Sequence, residues 1–271
     1  MDEERVYLTE EIYVLDDTMY REDSDGTSGP LTPATWHHDL RAYGWGKLPR
    51  PWVSFLNSHS DARPKNSQYG VIDCGGGGDC FFHCVAHALT ENTRWETTVD
   101  AMDVRQILCL SLTEEDYKDM ISIYRIMADA NDFDEAWDPY EVETLDDLKE
   151  VILEGGNTYW GDYQLFTRLS DALRLNIIIM IHCEGEISVY NTLKDYDMSY
   201  DTIMILYVNQ VHFQLLGHFN GQRMVTYFND ANVPPEIRRG ILNIDENDEN
   251  DEIDENDEND EIDENDENDE S

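Results

Sequence analysis

The run Gly75-Gly76-Gly77-Gly78-Asp79-Cys80 leads straight into Phe81-Phe82-His83-Cys84-Val85-Ala86-His87-Ala88-Leu89, and this joining of a flexible loop to an apolar segment limits what the middle of the chain can be. Four residues without Cβ reach positive φ freely and let backbone N–H groups converge on an incoming oxygen, as an oxyanion hole requires. Phe82, Val85, Ala86 and Leu89 share one side of a helical wheel, with Cys80, His83 and His87 opposite. The spacing predicts a helix that begins at Cys80, with the cysteine turned off the apolar stripe. Unpaired N–H groups and the positive end of the helix dipole favour a thiolate there. A free cysteine is also a common buried hydrophobe, and this segment alone leaves both readings open.

A second segment weighs on that choice. Residues 202–208 read as a strand, Asn209-Gln210 as a tight turn, and residues 211–216 as the returning strand of a hairpin. Alternation places Val211, Phe213 and Leu215 on one face, with His212 and Gln214 on the other. A histidine on an apolar strand needs a polar partner or an opening to a cleft. His212 is therefore a satisfied structural residue or the general base of a distant cysteine, since nucleophile and base in thiol hydrolases lie far apart in sequence. His83, one helical turn from Cys80, is the rival base.

Three blocks in order, Gly78-Asp79-Cys80-Phe81-Phe82-His83, then Tyr159-Trp160-Gly161-Asp162 with Leu169-Ser170, then His212-Phe213-Gln214-Leu215-Leu216, resemble the ovarian-tumour (OTU) family of cysteine proteases over residues 67–217, above all its divergent members in large DNA viruses. The resemblance implies a papain-like OTU fold of the α+β class, with helices packed on a small, mostly antiparallel sheet. It also implies a cofactor-free deubiquitinase that hydrolyses isopeptide or peptide bonds at the ubiquitin C-terminus. By the same resemblance Cys80 is the nucleophile, His212 the base, and the backbone amides of Gly77, Gly78 and Cys80 the oxyanion hole. Gly77 stands where most members carry an aspartate, which leaves Asp79 and Asp73 as the nearby acids for support. Gln214 stands where Asp or Asn commonly follows the base; its carbonyl can orient the imidazole but brings no charge. These departures motivate an alternative, a non-catalytic ubiquitin-binding module of the same fold. A third reading is an acidic interaction protein whose tail takes basic partners.

Other chemistries fit less well. The glycine run lacks the Gly-Lys-Ser/Thr of a P-loop, no GxGxxG follows a strand, and Cys74, Cys80, His83, Cys84 and His87 match no zinc spacing, so neither nucleotide nor metal is expected. The net charge of −42 comes in part from residues 244–270, three copies of Ile-Asp-Glu-Asn-Asp-Glu-Asn-Asp-Glu that hold 18 of the 60 acids; the remainder still sets 42 acids against 18 bases. Such a chain repels a nucleic-acid backbone. With one apolar residue in nine, the repeat predicts a disordered, solvating tail or a docking segment for basic proteins. Five cysteines, an odd number with no disulfide-like spacing, suit a reducing compartment. The start of the chain has no signal-like apolar run, and residues 177–181, the longest apolar stretch, are too short to span a bilayer. No membrane partner is expected, and the setting is intracellular, cytoplasmic or nuclear, in a host cell if the source is viral.

The expected organisation is an N-terminal extension over residues 1–66 packed on the body, a catalytic domain over 67–217, a C-terminal extension over 218–243, and the repeat tail over 244–271. Residues 11–15 read as a strand and 21–33 as loop, followed by a dense set of aromatics, Trp36, Tyr43, Trp45, Trp52 and Phe55. Helical periodicity covers 103–111, 114–128 with Thr113 as N-cap, 145–153 ending at Gly155-Gly156, and 160–175. Strands are expected at 177–182, 187–190, 202–208 and 211–216, with an edge strand over 224–228 and a short helix from Pro234-Pro235.

Overall fold

The computed structural model describes residues 5–61, 68–91, 98–191 and 196–243; the acidic repeat lies outside them. In chain order the elements are β1 (Val6–Tyr7), β2 (Ile12–Leu15), β3 (Thr18–Glu22), β4 (Ser28–Pro30), α1 (Trp36–Asp39), β5 (Trp45–Lys47), α2 (Arg50–Ser58), β6 (Tyr69–Ile72), α3 (Cys80–Glu91), α4 (Ala101–Ser111), α5 (Glu114–Asp129), α6 (Leu145–Glu154), α7 (Tyr163–Leu173), β7 (Leu175–Cys183), β8 (Glu186–Asn191), β9 (Asp201–Val208), β10 (His212–Phe219), β11 (Met224–Val225), β12 (Tyr227–Phe228) and α8 (Pro235–Ile237). The class is α+β, as expected. The main sheet runs β5-β6-β10-β9-β7-β8, with β11 and β12 added to β10 and β9, and its pairings are antiparallel except β7 with β9. The stretch 224–228 is thus two short strands on different partners rather than one edge strand.

Residues 18–30, expected as loop from Arg21 onward, instead form β3 and β4 of a separate four-stranded antiparallel sheet. Asp16 and Asp17 both take positive φ and close the β2–β3 hairpin, a turn chemistry that aspartate tolerates. The aromatic set between the two sheets is core. Trp36, Trp45 and Trp52 are buried, the first two in the layer that holds α3 and Trp52 on the opposite face of the main sheet, where its Nε1 donates to the Ile181 carbonyl. Trp52, together with Leu56, Ile237 and Ile241, covers the back of β6, β7, β9 and β10. The front is covered by α3, α4, α6 and α7.

Helix boundaries follow their caps. Asp100 with Asp103, Thr113 with Asp116, and Thr144 with Asp147 form reciprocal capping boxes at α4, α5 and α6, each satisfying two otherwise orphaned N–H groups. The helix expected over 160–175 is shorter. The Asp162 carboxylate accepts from Gln164 N and starts α7 at Tyr163, while Arg174, at positive φ, ends it before β7. In the β9–β10 hairpin, Asn209 and Gln210 both take positive φ, as a tight turn demands, but Val211 belongs to the turn and is 60% exposed. Its expected place beside Phe213 and Leu215 on the buried face is therefore corrected: pairing begins only at His212 with Val208.

Candidate active site

α3 is buried on nearly every side. Phe81, Phe82, Cys84, Val85, Ala88 and Leu89 are all within the core, and Cys80 itself is only 5% exposed. The cysteine is thus not turned off the apolar surface as the wheel suggested, because β10 packs along one flank of the helix and the segment after α6 along another. Each such large apolar side chain contributes about 2 kcal/mol of burial, which fixes the helix and hence the position of its first residue.

At that first residue the thiol meets backbone donors. The Phe213 N–H, one step after His212, favours the thiolate, as do the amides at Phe81 and Cys80. Burial nevertheless outweighs them and pushes the Cys80 thiol above its ordinary value, with the nearby Asp73 carboxylate acting in the same upward sense. The Cys84 thiol is raised much further by complete burial, and that of Cys109 is pushed up to about 11 by the same cause.

His212 opens β10. Its Nε2 is shielded from solvent and lies 3.2 Å from Asp73 Oδ2, at ion-pair distance though without the alignment of a hydrogen bond. Asp73 follows β6 directly, and the antiparallel register of Ile72 with Leu215 carries it to the same end of the sheet as His212. Its other oxygen accepts the Gly75 N–H at 3.0 Å, so one carboxylate touches both the imidazole and the start of the glycine loop. Gln214 lies two residues beyond His212 in β10, paired in register with Leu206, while the carboxylate next to the imidazole is that of Asp73. Cys80 and His212 share no hydrogen bond among the described residues; Phe213, next to His212, is the β10 residue that acts on the Cys80 thiol, and catalytic contacts commonly tighten only when substrate binds. His83 packs its ring over Gly75, where a Cβ would come within 2.7 Å of its Cδ2.

Gly77 and Gly78 both have positive φ. Gly78 has no alternative: a Cβ there would stand 1.9 Å from the Gly156 carbonyl oxygen. Asp79 is turned away from the thiol, toward the buried Arg105 and the Gly156 N–H at 3.0 Å, so it supports the loop from below. The Tyr159-Trp160-Gly161-Asp162 block explains itself in the same way. Gly161 lies against Phe81, with room for no side chain, and Asp162 caps α7. Sequence reasoning missed Arg105, which reads as one polar position on an amphipathic helix, and it missed Glu135.

A cavity of about 350 Å³, reaching Gln210 and Val211 of the turn before β10, is lined by Tyr124, Phe133, Glu135, Trp160 and Asp162 among others. Burial raises the Asp162 carboxyl to about 6 and that of Glu135 to about 7, each against the hydrogen bonds it accepts; Glu135 takes the Trp160 N–H at 3.0 Å. For Glu135 the sign follows from linkage. A carboxyl raised from about 4.5 to about 7 favours the protonated folded state, so ionisation costs nothing below pH 4.5, progressively more up to pH 7, and a constant amount above. Glu135→Gln keeps the carbonyl acceptor and is expected to stabilise the protein by about 1–2 kcal/mol at pH 8, after allowance for solvent screening, and by almost nothing at pH 4.5. Urea melts at the two pH values check this, and an equal effect at both would refute it.

Among the described residues there is no cluster of three or more His, Cys, Asp or Glu side chains arranged to hold a metal ion, and no helix long and apolar enough to cross a membrane. All five cysteines are free.

No protein-family model matches the chain, and no curated protein does. Solved structures similar to it include an ovarian-tumour (OTU) domain in complex with ubiquitin, 20% identical with a TM-score of 0.38, covering 65% of this chain and 81% of that one. The viral OTU domain protease from Dera Ghazi Khan virus is 15% identical with a TM-score of 0.36, covering 74% and 95%. An OTU deubiquitinase from Wolbachia pipientis wMel is 18% identical with a TM-score of 0.39, covering 58% and 93%. None of these similarities assigns a role to a residue of this chain.

Proposed function

We propose that the chain is an OTU-type deubiquitinating cysteine protease that needs no cofactor. The observation that carries this reading is the convergence, at one end of the sheet, of a helix-starting cysteine, a glycine loop at positive φ, and a histidine facing an aspartate. With Nε2 turned to Asp73, Nδ1 of His212 is the nitrogen free to take the Cys80 proton. The thiolate then adds to the carbonyl carbon of the ubiquitin C-terminal glycine, and the oxyanion is held by the amides of Gly77, Gly78 and Cys80. Collapse breaks the C–N bond as the imidazolium gives its proton to the leaving amine. Water, deprotonated by His212, hydrolyses the thioester and regenerates the thiol. Asp73 supplies the negative charge that Gln214 cannot.

The cavity that reaches the β9–β10 turn, part aromatic and part carboxylate, suits an extended basic tail such as the one ubiquitin carries into its scissile bond. The alternative reading, ubiquitin binding without turnover, draws on the raised Cys80 thiol and the lack of a direct bond to His212. Ubiquitin bearing a C-terminal electrophile separates the two. The expected result is one covalent adduct per chain, located at Cys80 by peptide mass analysis, together with cleavage of at least one di-ubiquitin linkage. Binding with no adduct supports the alternative, and neither binding nor adduct overturns both.

A further inference from the structure

The glycine loop lacks the aspartate that the resemblance leads one to expect at position 77, yet it is anchored at both ends. Upstream, Asp73 holds the Gly75 N–H. Downstream, Asp79 is clasped by Arg105, a guanidinium only 1% exposed. Nε of Arg105 donates to Asp79 Oδ1 at 3.0 Å and Nη2 bonds the same oxygen; Nη1 donates to the Ile152 carbonyl at 2.7 Å and Nη2 to the Tyr159 carbonyl at 2.8 Å. The face of the guanidinium lies 3.9 Å from the centre of the Phe82 ring. Asp79 Oδ2 in turn takes the Gly156 N–H. Between the two anchors a Cβ on Gly76 or Gly77 would meet no atom within 4 Å, so side-chain packing there does not fix the loop and the direction of its amides is set by its ends.

Resting on the deubiquitinase reading, we infer that Arg105 is a positioning residue for the oxyanion hole, acting through Asp79 to hold the Gly77, Gly78 and Cys80 amides where charge develops. An arginine buried this deeply is costly unless its donors find partners, and here two of its four hydrogen bonds go to the residue between the loop and the nucleophile while the other two tie it to the Ile152 and Tyr159 carbonyls. Lysine concentrates its donors on one nitrogen and lacks the spread fork that reaches a carboxylate and two carbonyls on three different segments. The clasp does not touch the sulfur, so its loss weakens transition-state stabilisation and leaves thiol reactivity alone.

The test uses the full chain with Arg105→Lys and, because a buried arginine site can tolerate substitution poorly, Asp79→Asn as a second variant that keeps an acceptor for Gly156. Two rates are compared: hydrolysis of a ubiquitin C-terminal amide, which needs the oxyanion hole, and iodoacetamide alkylation at the Cys80 peptide, which does not. The expected result is a fall in kcat of about 30- to 100-fold, less than the roughly 10²- to 10³-fold of an oxyanion-hole donor removed outright because the amides are misplaced rather than lost, with KM within about twofold and an alkylation rate within about twofold of wild type. Unchanged kcat in both variants, or hydrolysis and alkylation falling together, overturns the role of Arg105. Wild-type protein that is alkylated at Cys80 but hydrolyses no ubiquitin substrate overturns the deubiquitinase reading itself, and this role with it.

Discussion

Cys80→Ala is expected to remove turnover altogether, a fall of at least about 10⁴-fold in kcat, while the protein remains folded and retains its affinity for ubiquitin. The size of the effect follows from the chemistry: without the sulfur no thioester forms, and loss of a covalent nucleophile in comparable triads leaves only the residual contribution of the oxyanion hole and binding. No other cysteine can substitute. Cys84 and Cys109 are buried thiols held protonated, Cys74 gives its S–H toward the Ile72 carbonyl, and Cys183 ends β7 beside Gln210. Only Cys80 starts a helix, where backbone amides including that of Phe213 favour its thiolate. Alanine is itself a good helix former, so the thermal midpoint should change little. Because burial raises the Cys80 thiol, its alkylation rate in the wild type should still be climbing at pH 9, where an ordinary thiol of pKa about 8.5 is levelling off. Residual cleavage by Cys80→Ala at more than a thousandth of the wild-type rate would reject the assignment, as would adduct formation at another cysteine.

Local signals were legible in the chain and long-range pairings were not. The start of α3 at Cys80 follows from a glycine run meeting an apolar period, the start of α5 from Thr113, and the β9–β10 turn from Asn209-Gln210. Each depends on residues within a few positions of one another. The side on which Cys80 is buried was misread because a helical wheel assumes one covered face, and here neighbours close in on several. The partner of His212 was beyond reach for a related reason. Both Asp73 and Gln214 were on the page, but choosing between them requires the β6–β10 register, which only tertiary pairing decides. Arg105 was invisible for the same cause: its partners come from the residue before α3, from the end of α6 and from the loop before α7, and nothing on α4 distinguishes it from a solvated residue.

His212→Ala is expected to lower kcat by about 10³-fold or more, with His83→Ala changing it by less than about fivefold. The difference rests on what each ring touches. The His83 ring packs over the Gly75 backbone, whereas the His212 imidazole stands against the Asp73 carboxylate at the end of the strand whose next amide favours the Cys80 thiolate. Asp73→Asn isolates the charge, because the asparagine carbonyl can still accept the Gly75 N–H, while the anion opposite the imidazole is gone. It should cost about 10- to 100-fold in kcat by failing to stabilise the protonated ring, and almost nothing in the His212→Ala background, the non-additivity that marks residues acting as one unit. Gln214→Ala, by contrast, should be nearly silent. Steady-state kinetics on a ubiquitin C-terminal amide distinguish these outcomes. If His83→Ala abolishes turnover and His212→Ala retains it, the base is the local histidine; if Asp73→Asn and His212→Ala lose activity additively, the carboxylate acts on the loop alone and the Asp73–His212 pair has no catalytic meaning.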